Sequence, residues 1–370
     1  GVQPSDETTS LFENLKAGIL PDVPFIYYDV PDSVADVRLN LPPQPNPFRG
    51  RSEEVAQLIV NLQQENCRLL TLVGLGGAGK TRLAIHTARQ MTANFTDGVF
   101  FVSLMGVFTE YAIITEIADS IGLQFNTAED IQVQLLRHLA AQKMLLILDN
   151  FEHLIEHVRL IDQILTQAPQ VKMLVTSRLP LMLKLEWTFT IDQMVEGAEQ
   201  LFIDSAVRAD THFVPTDDDR ATIAAICQQL AGMPLAIELA ATWVHVLSLP
   251  EILAEVRQNV ELLTSEWADI PERHRNLQAT FDYSWGLLDT NQQQALLRLA
   301  IFPSSFSYES ARVVAGVSLN VLSGLAARAL VKRNAAGRYQ LHELIRQFAL
   351  LKLRQMPAEH QTEMDAFIKH

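Results

Sequence analysis

A chain of 370 residues, 48% of them hydrophobic and 19% charged, has a globular composition and length enough for about two or three domains with separate cores. Its formal net charge of -14 argues against non-specific binding to nucleic acid, which needs clustered Lys and Arg to neutralise phosphates. No apolar stretch of bilayer length and no secretory leader can be read, and Cys67 and Cys227 stand in no metal-ligand or redox spacing, so a cytoplasmic protein with reduced thiols and no membrane partner is expected.

Residues 1–45 read as an extended linker. Pro21, Pro24 and Pro31 interrupt any long helix, Pro42, Pro43, Pro45 and Pro47 make a stiff run, and only 11–20 has a helical rhythm. Gly1 as the first residue suggests a processed or excised piece. From Phe48 the pattern changes. The periodicity predicts helices over 53–63, 80–91, 112–121, 131–141 and 152–167, alternating with apolar strands over 69–73, 99–102, 144–148, 171–175 and 187–191. Strands alternating with helices imply a parallel α/β sheet, here a nucleotide-binding domain over 46–195. Helical patterns then follow at 198–208, 221–230, 235–247 and 249–258, a small helical domain assigned to 196–270. Further helices at 277–285, 292–299, 308–315 and 319–329 precede a hairpin, 330–333 and 338–341 around Asn334-Ala335-Ala336-Gly337, and a last helix over 342–353. Helices followed by a hairpin predict a winged-helix domain over 271–352, with 353–370 as a C-terminal linker helix.

Gly74-Leu75-Gly76-Gly77-Ala78-Gly79-Lys80-Thr81 fits the P-loop pattern without a mismatch, with a strand before it and a helix after. Glycines let the backbone curl so that successive N–H groups point into one concavity, and the helix start adds its positive end there. Lys80 supplies a positive charge for β- and γ-phosphates, and Thr81 a hydroxyl for Mg2+, which prefers hard oxygen ligands. Asp149 ends the most apolar strand, where a carboxylate at the carboxyl end of a parallel strand lies beside the phosphate crevice as a second Mg2+ partner. Asn150 follows instead of a second acid. Glu152 either orients an attacking water or is an ordinary acid early in a helix. Arg178, after Thr176 and Ser177, either reaches a γ-phosphate with its fork of donors or is a solvated loop arginine.

Together with Pro47-Phe48-Arg49-Gly50-Arg51, Gly232-Met233-Pro234-Leu235-Ala236 and Leu341-His342-Glu343-Leu344, these motifs resemble the NB-ARC ATPases of the STAND class, in that family's order and over roughly residues 46 to 350. The resemblance implies that Gly50 and Arg51 run past the adenine and bond it through the backbone, that Pro234 packs on the base or ribose, and that Arg82 lies near the α-phosphate. It also implies that Arg178 is the sensor arginine for the γ-phosphate and that His342 touches the β-phosphate of ADP and latches the winged-helix domain shut. Leu341 and Glu343 depart from the family's usual residues, and no contact is carried over for Glu343.

A switch follows from the resemblance: closed with ADP, opened by ATP for self-association, and reset by slow hydrolysis. An effector domain before Gly1 and sensor repeats after His370 are its implied partners. The alternative is a DNA-binding ATPase of the replication-initiator type, using Lys332, Arg333 and Arg338 on the wing; the net acidity stands against it.

Overall fold

In the computed structural model, which describes residues 38–258 and 277–355, the apolar runs pair into one parallel sheet. β1 (Leu69–Val73), β2 (Gly98–Ser103), β3 (Met144–Asp149), β4 (Lys172–Ser177) and β5 (Glu186–Thr190) lie in the order β2-β3-β4-β1-β5. β1 is buried throughout and β3 up to its last residue, as strands covered on both faces must be.

The covering helices are α1 (Ser52–Gln63), α2 (Lys80–Gln90), α3 (Glu110–Ile121), α4 (Ile131–Ala140) and α5 (Val158–Gln167). The period-two alternation of β3 divides them. Leu146 and Leu148 belong to the apolar cluster with Ile117, Leu135 and Ile161 of α3, α4 and α5. Leu145 and Ile147 belong to the opposite cluster with Leu58 of α1 and Leu83 of α2. The end of the stretch assigned to the linker packs on this sheet. Leu39 makes a parallel bridge to Val99, the Asn40 carboxamide oxygen accepts from the Phe101 amide, and Leu41 packs on the α1–α2 side.

The helical region comprises α6 (Ala198–Ala209), α7 (Asp217–Gln229), α8 (Pro234–Ala241) and α9 (Leu249–Gln258). Thr216 and Asp219 form a reciprocal capping box at the start of α7, and Pro234 opens α8 in its first turn, where its missing N–H costs nothing. After the undescribed residues 259–276 come α10 (Leu277–Gly286), α11 (Thr290–Leu299), α12 (Tyr308–Ala315) and α13 (Leu319–Ala327). The hairpin β6 (Val331–Arg333) and β7 (Tyr339–Leu341) pairs Val331 with Leu341, an antiparallel bridge from Phe306 to Tyr339 adds a third segment beside it, and α14 (Glu343–Gln355) closes the winged-helix arrangement. One continuous apolar cluster runs from Phe202 and Ile226 through Phe281 and Leu296 to Phe348, so the helical and winged-helix parts share their packing.

Two helices are shorter by several residues than their periodicity predicts. The run after β3 opens with the 3-10 turns Phe151–His153 and Ile155–His157, and regular helix starts only at Val158. Asn150 is left-handed (φ 68) and the fully buried Phe151, with Leu154, pulls the chain inward, which breaks the 3.6-residue rhythm. The predicted helix over 235–247 likewise ends at Ala241 and tightens into the 3-10 turn Thr242–His245, where the Thr242 hydroxyl bonds back to the Leu239 carbonyl. The expectations over 1–37, including the helical rhythm at 11–20, and over 259–276 and 356–370 lie outside the described residues.

Phe281 is 1% exposed and meets Phe348 edge-on at 5.6 Å between centroids. Phe281→Ala should therefore destabilise the chain by about 3–5 kcal/mol, read as a lower denaturant midpoint, with the helical and winged-helix signals lost together.

Candidate functional site

The P-loop follows β1 directly. Gly77 (φ 80) and Gly79 (φ 86) take the left-handed conformation that turns the loop, and α2 begins at Lys80. Helix α8 sits on this loop: the Leu235 amide donates to the Gly77 carbonyl at 3.2 Å. The Lys80 ammonium donates to the loop's own carbonyls at Gly74 (2.8 Å) and Leu75 (2.9 Å).

The sheet order explains the carboxylate arrangement. β4 lies between β1 and β3, so its end faces both the P-loop and Asp149. The hydroxyls of Thr81 and Thr176 each donate to Asp149 Oδ1 at 2.6 Å, and Thr176 also accepts from the Asn150 amide at 2.9 Å. Burial pushes the Asp149 carboxyl up, against the hydrogen bonds from Thr176 and Thr81 and the charge of Lys80. Thr176 is the residue that sequence reasoning left without a role; its place in Thr176-Ser177-Arg178 was the available signal.

Glu152 and Arg178 are buried side chains at 4% and 5% exposure, not solvated ones, and they pair with each other, Arg178 Nε to Glu152 Oε1 at 3.1 Å. Glu152 Oε2 is buried without a hydrogen-bond partner. Arg178 Nη1 faces α10, and Nη2 lies against Gly76 of the P-loop.

A cavity of about 330 Å³ opens beside the P-loop. It is bounded by Arg51, Ala78, Pro234 and His342 of the predicted residues, and by Asp192 and Lys332, which sequence reasoning did not connect. Lys332 of the wing pairs with Asp192 after β5 at 2.7 Å across its rim. Arg51 is left-handed (φ 61) and bonds the carbonyls of Ala78 (3.0 Å) and Asp192 (3.1 Å); burial pushes its guanidinium down, against the charges of Glu54 and Asp192. Gly50 lies against the carbonyl of Glu196, and Phe48 stacks on His86 at 4.0 Å, fixing this segment beside α2. The Arg82 guanidinium bonds the carbonyls of Asn46 (3.1 Å) and Pro47 (3.0 Å) and lies 3.5 Å from Glu238; Arg82 does not line the cavity.

Burial pushes the His342 ring down to about 4, against a hydrogen bond with the Ala231 backbone and the charge of Glu343, so it is neutral at pH 7. Its Nδ1 has no partner. Of the other wing cations, Arg338 bonds the Ser305 carbonyl at 2.6 Å and Arg333 lies over the Tyr339 ring at 5.9 Å.

These residues fit a phosphate chain with a hard cation. Gly77 and Gly79 turn the loop, the Thr81 hydroxyl meets Asp149 Oδ1, and buried polar atoms of Glu152 and His342 have no hydrogen-bond partner. Among the described residues no cluster of three or more His, Cys, Asp or Glu offers a competing metal site. No single helix among them is long and apolar enough to cross a membrane.

A glycine loop between a buried strand and a helix, facing a carboxylate two strands away in a parallel sheet, defines a P-loop nucleotide-binding fold. The chain belongs to the NB-ARC family: the NB-ARC domain model matches residues 51–183. An uncharacterised protein of Mycobacterium tuberculosis is 31% identical over 321 residues, covering 83% of this chain and 81% of that protein. A protein of the same species named as an HTH-type transcriptional regulator is 33% identical over 299 residues, 77% of this chain and 34% of the other, so the chain spans about a third of that relative's length. A solved signal transduction ATPase with numerous domains and a tetratricopeptide repeat sensor, from Pyrococcus horikoshii, is similar at 16% identity and a TM-score of 0.38, over 85% of this chain and 44% of that one.

The ring of His342 takes up its proton near 4 when folded and near 6.5 when unfolded. Acid therefore favours the unfolded chain. This contribution should leave stability intact above pH 6.5 and lower it by roughly 3 kcal/mol as pH falls to about 4. Urea unfolding at stepped pH should show that slope, and His342→Gln should flatten it.

Proposed function

We propose that the chain is the nucleotide switch of a signalling regulator, closed around ADP and opened by ATP. The observation that carries this reading is the cavity itself: the P-loop, the loop before Pro234 and the wing all bound one space beside the phosphate cradle. A ligand there touches every part that a switch must move.

In this reading the amides of Gly76, Gly77, Ala78 and Gly79 and the positive end of α2 hold the β-phosphate. Lys80 leaves its loop carbonyls for the β- and γ-oxygens, and Arg82 stands nearest the α-phosphate. Thr81 and Asp149 would hold Mg2+, which supplies charge neutralisation for the phosphate oxygens. Gly50 and Arg51 pass the adenine and Pro234 packs on the base or ribose. His342 touches the β-phosphate and ties the wing to the bound diphosphate. Arg178 recognises the γ-phosphate. Glu152, buried and half-paired, orients water only weakly, which suits a slow timer better than a fast ATPase.

The two nucleotides move the equilibrium only through their different affinities for the closed and open forms. Self-association follows opening. The relative named as a transcriptional regulator supports, by analogy, an effector outside this region; sensor repeats are its proposed counterpart. The DNA-binding alternative is weaker, because Lys332 is committed to Asp192 and Arg338 to Ser305.

Calorimetry with Mg2+ should show binding of ADP and ATP by the wild type and at least a roughly 100-fold loss in Lys80→Ala, as expected when about 3 kcal/mol of charge-assisted contact is removed. Wild type that binds neither nucleotide sinks the proposal. His342→Ala should lower ADP retention through purification and raise the oligomeric fraction with ATP, followed by light scattering; an unchanged profile would refute the latch.

A further inference from the structure

Arg178 leaves the carboxyl end of β4 and enters a buried junction, where most of its named contacts belong to one helix. Its Nη1 donates to the Thr280 carbonyl at 2.8 Å and to the Ser284 hydroxyl, and its guanidinium carbon lies 4.6 Å from the centroid of the Tyr283 ring. Thr280, Tyr283 and Ser284 occupy successive turns of α10, so they present one face. The Ser284 hydroxyl accepts from the arginine and donates its own hydrogen bond to the Thr280 carbonyl at 3.2 Å. On the other side Glu152 Oε1 takes Nε, while Glu152 Oε2 stays unpartnered.

The same junction touches the P-loop. A Cβ added to Gly76 would lie 2.5 Å from Thr280 Cγ2 and 2.7 Å from Arg178 Nη2. Gly76 is thus a glycine because α10 and the guanidinium press against its backbone. The fork sits against Gly76 of the loop, and α10 meets the same glycine through Thr280.

We propose that α10 and the terminal phosphate of a bound nucleoside triphosphate compete for the guanidinium of Arg178, with Ser284 as the positioning residue that holds it for α10. The proposal rests on the nucleotide reading above and adds how the winged-helix part learns which nucleotide is bound. A guanidinium has a fixed fork of donors and gains more from a phosphate than from a carbonyl and a hydroxyl. A diphosphate leaves the fork on Thr280, Tyr283 and Ser284. A triphosphate draws it away, and α10 loses three anchors at once. The differential contact that a switch requires is therefore located in α10.

The test is hydrogen exchange over 277–286 in the intact chain, with no nucleotide, with ADP and Mg2+, and with a slowly hydrolysed triphosphate analogue and Mg2+. It is paired with the affinity ratio of triphosphate to diphosphate in variants. Exchange in α10 should rise with the triphosphate and not with ADP. Ser284→Ala should raise the affinity ratio roughly tenfold, the order expected when one charge-assisted hydrogen bond is lost from one of two competing states. Ser284→Thr, which restores the hydroxyl, should return it toward wild type. Asp282→Asn loosens the same helix at a different contact, its 2.6 Å pair with Lys352, and should leave the ratio unchanged. In an Arg178→Ala background the Ser284→Ala effect should vanish. An equal shift from Asp282→Asn, or one that survives in Arg178→Ala, overturns the competition. So does wild type that binds both nucleotides with the same α10 exchange, and that outcome leaves the nucleotide site standing. Wild type that binds neither overturns both.

Discussion

The segment Gly74–Gly79 carries almost no side chains, and the rest of the molecule is arranged around that bareness. A loop of ordinary residues would hold its neighbours several ångströms away. Here the first turn of α8 hydrogen-bonds to the loop at Gly77, and α10 with Arg178 closes on Gly76. Backbone amides meant for a ligand and backbone surface meant for packing are therefore the same few peptide groups. Whatever shifts the loop is felt at once by helices more than a hundred residues away in sequence.

Charge is buried around this loop with incomplete compensation. Asp149 takes two hydroxyls and no cation within hydrogen-bond distance, Glu152 has one satisfied oxygen, Arg51 Nη1 reaches only the Glu54 carboxylate at 3.5 Å, and His342 Nδ1 has no hydrogen-bond partner. An isolated domain gains nothing from such groups, since desolvation without pairing costs free energy. Those beside the loop are groups that a bound cation or phosphate would complete. Buried atoms of Arg68, Thr71 and Thr87 also lack hydrogen-bond partners, whereas helix starts are satisfied by the reciprocal caps at Thr216–Asp219 and Asp289–Gln292.

Much of this was legible in the sequence because it is local. The P-loop, the apolar β3 with Asp149 at its end, the Pro234 turn and the hairpin around Asn334–Gly337 are each written within about ten residues. The relations between them are not. Nothing near Thr176 says that β4 will insert between β1 and β3 and put its hydroxyl on Asp149. Asp192 and Lys332 pair across 140 positions with no shared motif, and Ser284 looks like any mid-helix serine until α10 is laid against Arg178. Glu152 misled for a related reason: periodicity assigns it to a helix, whereas the burial of Phe151 and Leu154 turns the chain into 3-10 geometry and drives the acid inward. Tertiary contacts override local rhythm at the site itself.

The short segment at Leu39 and Asn40 has its own consequence. β2 is an outermost strand, and its outward amides at Val99 and Phe101 are occupied by the Arg38 carbonyl and the Asn40 side chain. That segment serves as a hem along an otherwise open border. A trimmed version beginning at Phe48 would keep every phosphate-binding residue and still present a raw, apolar margin able to stitch onto another molecule, so solubility and ligand competence would part company in such a truncation.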